Sequence, residues 1–310
     1  MRIVDLTPTP TVPRDGWDRP LVIPKQGGKP VPLTRTTTYI DCIEDKTALS
    51  GWKSRMTLVG AAKRPSLLDV VRQLDPEDPD DKRRLNTLAD QAMDISGANA
   101  KREKGTHLHT LSEHVDRGEP LPAGTAIRDQ LDMAAYMGAT VEFDVKAVEE
   151  FVVVPELGTG GTFDRLLEYA GPGPDGEPVE GRFIGDLKTG SVQYGGLKMA
   201  TQLAVYSRGE LYDYSRFPVD PADKKAFAAW KKREVPADEA AQAYNPLPDV
   251  SQKWGVIINL PAGSAECTLY WVDLEVGWAA AKLAREIRAM RGTKGAMRPW
   301  VTGLTNSRVA

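Results

Sequence analysis

The chain has few of the residues that carry thiol, redox or heavy-metal chemistry. Its 310 residues include two cysteines, Cys42 and Cys267, and three histidines. Two distant cysteines cannot build a four-cysteine iron–sulfur cluster, and they read as free thiols rather than a disulfide. No run of about 18 apolar residues occurs, which excludes a membrane-spanning helix. The opening MRIVDLTPTPTVPRDGW lacks the apolar stretch of a secretion signal, so a cytoplasmic chain is expected. A Gly-x4-Gly-Lys-Ser/Thr phosphate loop is missing, and with it a helicase motor; Gly-x-Ser-x-Gly is missing too. Net charge is −3 and the isoelectric point is near 5.8, so no global basic excess marks a nucleic-acid binder. Such binding would need only a local basic patch.

What is present is a 41% hydrophobic composition, enough for a real core. Residues 1–33 are rich in Pro, Thr and Gly without periodicity and read as an extended N-terminal arm. Residues 34–138 read as helical, with pieces over Asp45–Leu58, Ser66–Leu74, Asp81–Lys104, Thr106–Arg117 and Thr125–Gly138. In the fourth piece Gly105-Thr106 offers an N-cap, and Leu108, Leu111 and Val115 form one stripe. Residues 139–310 change pattern. Val148–Val154, Gly161–Tyr169 and Arg182–Lys188 read as strands, and Leu197–Tyr212 as a helix. A polar, proline-bearing insertion over 217–250 reads as a lid or excursion. A hairpin of Trp254–Leu260 and Cys267–Val272 follows, then a helix Leu274–Met290 capped by Asp273. The order implies a mixed α/β core with a helical N-terminal region.

Chemistry concentrates between Gly160 and Tyr206. Asp164 interrupts one apolar run, and Asp186 and Lys188 share one face of the next. Gln202 and Tyr206 stand four apart on a helix, hence side by side. Each has an ordinary reading: a solvent-facing strand aspartate, a surface ion pair worth little, and a half-buried tyrosine beside a backbone-bonded glutamine. Together, two carboxylates and a lysine on adjacent strands can hold a divalent cation and steer a water at a phosphate. His107, His109 and His114 lie within eight residues. On a helix, His109 and Glu113 share one flank and His107 and His114 another, so at most one flank serves a single site.

Four segments in this order carry a resemblance: Gly105-Thr106-His107-Leu108-His109, Gly161-Thr162-Phe163-Asp164, Ile184 to Gly190 (IGDLKTG), and Gln202 to Tyr206 (QLAVY). The set resembles the RecB-like branch of the PD-(D/E)XK nucleases, above all the stand-alone phage exonucleases and the related CRISPR-associated exonucleases. The resemblance covers about residues 105–206. It implies an α/β restriction-endonuclease-like core, a mixed sheet of about five strands flanked by helices. It implies an Mg²⁺- or Mn²⁺-dependent deoxyribonuclease acting in phage DNA replication, recombination or repair. Asp164, Asp186 and Lys188 would be catalytic. The metal would be held by His109, Asp164, Asp186 and the backbone carbonyl of Leu187, with His107 the other candidate for the histidine ligand. Gln202 and Tyr206 would face the DNA backbone. DNA is the implied partner, with a recombinase or single-strand-binding protein beside it, in the host cytoplasm if phage-encoded. The iron–sulfur cysteines of several relatives are missing, so no cluster is implied, and no proline precedes the first acidic motif. The alternative is a non-catalytic nucleic-acid-binding or assembly protein that keeps the fold. Digestion polarity, strand preference, exo- versus endonuclease action and oligomeric state stay open.

Overall fold

The computed structural model describes residues 12–298. A two-strand ribbon, β1 (Leu21–Val22) and β2 (Val31–Pro32), leads to β3 (Thr34–Arg35) and α1 (Thr36–Ile40). Helices α2 (Thr47–Lys63), α3 (Ser66–Val71), α4 (Pro79–Ser96), α5 (Ala100–Asp116) and α6 (Ile127–Thr140) follow. Then come β4 (Asp144–Val154), β5 (Thr159–Pro172), β6 (Pro178–Lys188), α7 (Gly196–Tyr206) and β7 (Glu210–Tyr212). The chain closes through α8 (Lys224–Trp230), α9 (Ala237–Ala241), β8 (Tyr244–Pro246), β9 (Trp254–Asn259), β10 (Thr268–Asp273) and α10 (Leu274–Arg291).

Among the described residues one sheet has eight strands, ordered β10-β9-β6-β5-β4-β7-β8, with β3 paired to β5. The β6–β9 and β3–β5 pairs are parallel and the others antiparallel, so the sheet is mixed. Helices cover both faces. On one, Leu108 and Leu111 of α5 and Met133 and Tyr136 of α6 pack on Leu167, Phe183, Leu187 and Ile258. On the other, Met199, Leu203 and Ala204 of α7 and Leu274 of α10 pack on Phe163, Ile184 and Ile257. Buried apolar area of this kind is the main stabilising term.

Local chemistry sets the element ends. The Asp78 carboxylate accepts the Asp80 and Asp81 N–H groups with Pro79 first in α4, and Asp273 does the same for α10 at Glu275 and Val276. Gly97 is left-handed at φ 86° and ends α4, which splits the expected Asp81–Lys104 helix. The following helix then starts at Ala100 and runs through Gly105, which is therefore no cap. A Cβ there would lie 2.6 Å from Thr189 Oγ1, so the glycine lets α5 approach the loop after β6.

Four further expectations are corrected. Residues 12–33 are no loose arm: Val12, Leu21, Val22 and Ile23 are buried with Phe151, Phe217, Trp230 and Tyr244; residues 1–11 lie outside the described part. The 217–250 segment is no lid, because Phe217, Trp230, Val235, Ala240 and Tyr244 are buried in that cluster against Phe151 and Val153 of β4. Helix α7 stops at Tyr206, and Glu210–Tyr212 is a strand that pairs with Val152 and Val153 of β4. The sheet is wider than five strands because β3, β7 and β8 extend it. No helix among the described residues is long and apolar enough to cross a membrane.

Candidate active site

The site lies where two strands part. β5 and β6 pair from Pro172–Pro178 as far as Arg165–Gly185. Beyond that, β6 pairs with β9 from Gly185 to Lys188. Asp164, the next residue on β5, reaches across the fork, and its Oδ2 accepts the Leu187 N–H at 2.9 Å. A side chain thus replaces a ladder bond that the diverging backbone no longer makes.

Asp186 points to the α7 face and is 3% exposed. Its Oδ1 accepts from Gln202 Nε2 at 3.2 Å, and its Oδ2 lies 2.5 Å from Lys188 Nζ. The ammonium approaches off the hydrogen-bonding direction, so this buried oxygen keeps a charge neighbour but no hydrogen-bond partner. From α5, His109 Nδ1 comes within 3.4 Å of Asp164 Oδ2. The other two histidines are engaged elsewhere: His107 with Asp129 at 3.1 Å and His114 with Glu119 at 2.7 Å. Of the three, His109 is the one at the fork.

Tyr206 is buried at 3% exposure, beside Gln202. Burial, then the nearby Asp186 and Asp164 charges, push its hydroxyl pKa up, so it stays protonated. Gln202 holds Asp186, and Tyr206 beside it lines a cavity of about 460 Å³ together with Arg14 and Arg35. Leu187 is wholly buried, and it offers its N–H to Asp164.

Two residues were not legible as site residues. Glu149 on β4 falls opposite Asp164, between the Val148–Arg165 and Glu150–Phe163 pairs, and takes a left-handed backbone at φ 56°. A glutamate in that region is strained, which marks the position. Its side chain is open to solvent on one side. Desolvation on the other side, then the Asp164 and Glu113 charges, push its carboxyl up to about 8. Arg165 is fully buried. Its Nε donates to Asp116 Oδ2 at 2.6 Å and to the Tyr136 hydroxyl at 2.8 Å, and its Nη2 to Ser112 Oγ at 2.5 Å. Nη1 has no hydrogen-bond partner and lies 3.7 Å from Asp164 Oδ2. An arginine within an apolar strand was the available sequence signal, since burying one demands partners.

The electrostatics are those of unmet negative charge. Desolvation raises the Asp164 pKa, and desolvation followed by the Asp164 charge pushes Asp186 up to about 6. Desolvation lowers the His109 pKa, so at neutral pH its imidazole is uncharged and its contact with Asp164 is no ion pair. Among the described residues no three His, Cys, Asp or Glu side chains close into a metal cage; the Lys188 ammonium takes the place beside Asp186 Oδ2. No family model matches the chain, and no curated protein matches it.

Proposed function

We propose that the chain is an Mg²⁺- or Mn²⁺-dependent deoxyribonuclease of the RecB-like PD-(D/E)XK kind, acting as an exonuclease in phage DNA replication, recombination or repair. The observation that carries this reading is the meeting of Asp164, Asp186 and Lys188 at the β5–β6 fork, with His109 delivered to the same point by α5. Asp164, Asp186, His109 and the Leu187 carbonyl would hold the ion. When bound, it lowers the pKa of a water and offsets charge on the phosphate. Gln202 fixes one Asp186 oxygen, leaving the other for the ion. Lys188, released from Asp186, positions the attacking water and stabilises charge developing on the phosphoryl oxygens. The water gives up a proton to solvent as its oxygen bonds to phosphorus, one P–O ester bond breaks, and the leaving sugar oxygen takes a proton from a solvent water.

The test is digestion of end-labelled single- and double-stranded DNA with Mg²⁺, Mn²⁺ or EDTA, alongside covalently closed circles. Metal-dependent release of nucleotides, loss of it in Asp186→Asn, and intact circles are expected. Full activity in purified, folded Asp186→Asn would sink the assignment. So would no digestion by the wild type with either metal.

A further inference from the structure

We infer that the protein carries a subsite for one unpaired nucleotide directly beyond Lys188, with its phosphate in a basic cavity and its base in an adjoining apolar groove. The basic cavity, about 720 Å³, has Arg102, Lys104 and Arg128 on its wall and no carboxylate among its lining residues. Lys104 is paired with Asp129, which is buried behind it. Arg128 donates from Nε and Nη2 to the Gly263 carbonyl at 3.1 and 2.9 Å, a neutral partner that leaves its charge uncompensated. Arg102 makes no ion pair or side-chain hydrogen bond among the described residues. Two uncompensated guanidinium groups in one cavity fit a phosphate.

The opposite wall is the loop Thr189 to Ser191, which continues from Lys188. That loop is fixed. Asn259 Nδ2 donates to the Lys188 and Gly190 carbonyls at 2.9 and 2.8 Å, and the Leu260 and Ala262 N–H groups bond Lys188 and Thr189 at 2.9 and 3.1 Å. A phosphate held there would be tied by rigid backbone to Lys188.

Across the same loop lies the second cavity, about 980 Å³, which shares Ser191 and Pro261 with the first. Its wall is mostly apolar, with Leu197, Ile257 and Val276, and Tyr270 stands at its rim on the edge strand, 46% exposed. The Asp273 carboxylate that borders it is turned to the α10 N–H groups. A cation-lined cavity joined to an apolar, aromatic-rimmed groove offers complementary places for the two halves of a nucleotide. A base lying in that groove cannot be paired, so the substrate is single-stranded at this point. The inference rests on the nuclease reading only in taking the strand past Lys188.

The test is fluorescence anisotropy of the full chain in EDTA, where metal-dependent cleavage is silent. The probes are a labelled 20-mer as single strand, as blunt duplex and with one abasic position moved along it. Single strands with a 5′-phosphate, with a 3′-phosphate, with neither, and closed into a circle separate a terminal phosphate from an internal diester as occupant. Tighter binding of the single strand is expected. Arg102→Ala should weaken it about tenfold and lower the salt slope by about 0.7, one phosphate contact, and Arg102→Lys should restore much of both. Tyr270→Ala should weaken binding about tenfold with the salt slope unchanged, Tyr270→Phe should rescue it, and one abasic position should abolish the difference between Tyr270 and Ala. Equal affinity for duplex and single strand, or Arg102→Ala and Tyr270→Ala both without effect, overturns the subsite. Digestion is read separately, so an inactive protein that shows this pattern refutes the nuclease reading alone, and an active protein without it refutes the subsite alone.

Discussion

Arg165 is the sharpest test of how the fork is held. Replacing it with Met keeps most of its volume and removes the guanidinium. Three hydrogen bonds disappear, to Asp116, Tyr136 and Ser112, at 2.6, 2.8 and 2.5 Å. The Asp116 carboxylate, with a side chain only 3% exposed, then keeps the Tyr136 hydroxyl at 2.7 Å but loses its counter-charge. Breaking a buried pair from one side typically costs about 3–5 kcal/mol, because the remaining charge stays buried. At about 2–4 °C per kcal/mol for a large domain, the melting temperature should fall by about 10 °C. Arg165→Met/Asp116→Asn removes both charges and should be less destabilised than the sum of the two single variants. Thermal and urea unfolding in EDTA, followed by circular dichroism, measures all three proteins. If Arg165→Met lowers stability by less than about 1 kcal/mol, or the two changes simply add, the buried pair does not fasten α5 to β5 and the reasoning fails.

Lys188→Met should keep Mn²⁺ affinity by calorimetry and lose about 10²-fold or more in cleavage rate, the usual effect of removing one charge-stabilising group; lost metal binding with unchanged rate would make the lysine structural. His109→Ala should reduce metal-dependent cleavage far more than His107→Ala, since only His109 reaches Asp164; the reverse ranking would put the ligand two residues earlier. Gln202→Ala should weaken Mn²⁺ binding by freeing Asp186, by about 1 kcal/mol for the one hydrogen bond lost; wild-type affinity in that variant would separate α7 from the metal site. Glu149 has a folded pKa of about 8, above its unfolded value, so its contribution to stability is greatest below pH ~4 and is lost as pH rises through about 8. In EDTA, Glu149→Gln should therefore gain on the wild type from pH 5 to 8, by about 1 kcal/mol after screening by the solvent it faces; a constant difference across that range would deny the shift.

Much of the site was readable because it depends on spacing. Asp186 and Lys188 share a face because strand period is two, and His109 departs from His107 because helix period is 3.6. Those rules act within one element. What spacing could not convey is the pairing between elements. That Glu149 falls opposite Asp164 follows from the register of β4 on β5, with its shift between Val145 and Ala147, and a one-residue slip would move every partner. Arg165 sits in an apolar strand in plain view of the sequence, but its partners Ser112, Asp116 and Tyr136 come from two helices far back in the chain. The same limit explains the misread ends. The Pro-rich residues near Val12 and the polar stretch near Trp230 each lack a core of their own and look unstructured apart, yet bury apolar side chains against each other and β4. Gly105 was read as a break and Gly97 was not, yet Gly97 takes a left-handed φ, whereas Gly105 makes room for Thr189.

Leu187 ties the parts of the fork together. Its neighbours in sequence are Asp186 and Lys188, so its backbone sets where both point. Its N–H holds Asp164, which fixes the first carboxylate to the strand that carries the second. Its side chain lies in the cluster formed by Leu108 and Leu111, the residues on either side of His109 on α5. One apolar residue therefore joins β5, β6 and α5, and the relative positions of the two carboxylates and the imidazole are set by backbone and core packing more than by free rotamers. That rigidity has an electrostatic consequence. The carboxylates cannot swing apart to relieve desolvation or one another's charge, so the burden appears as raised pKa values at Asp164, Asp186 and Glu149. Negative groups held together at such a cost, with a neutral imidazole beside them, lower the stability of the protein alone, and a bound cation of the kind proposed would offset that cost.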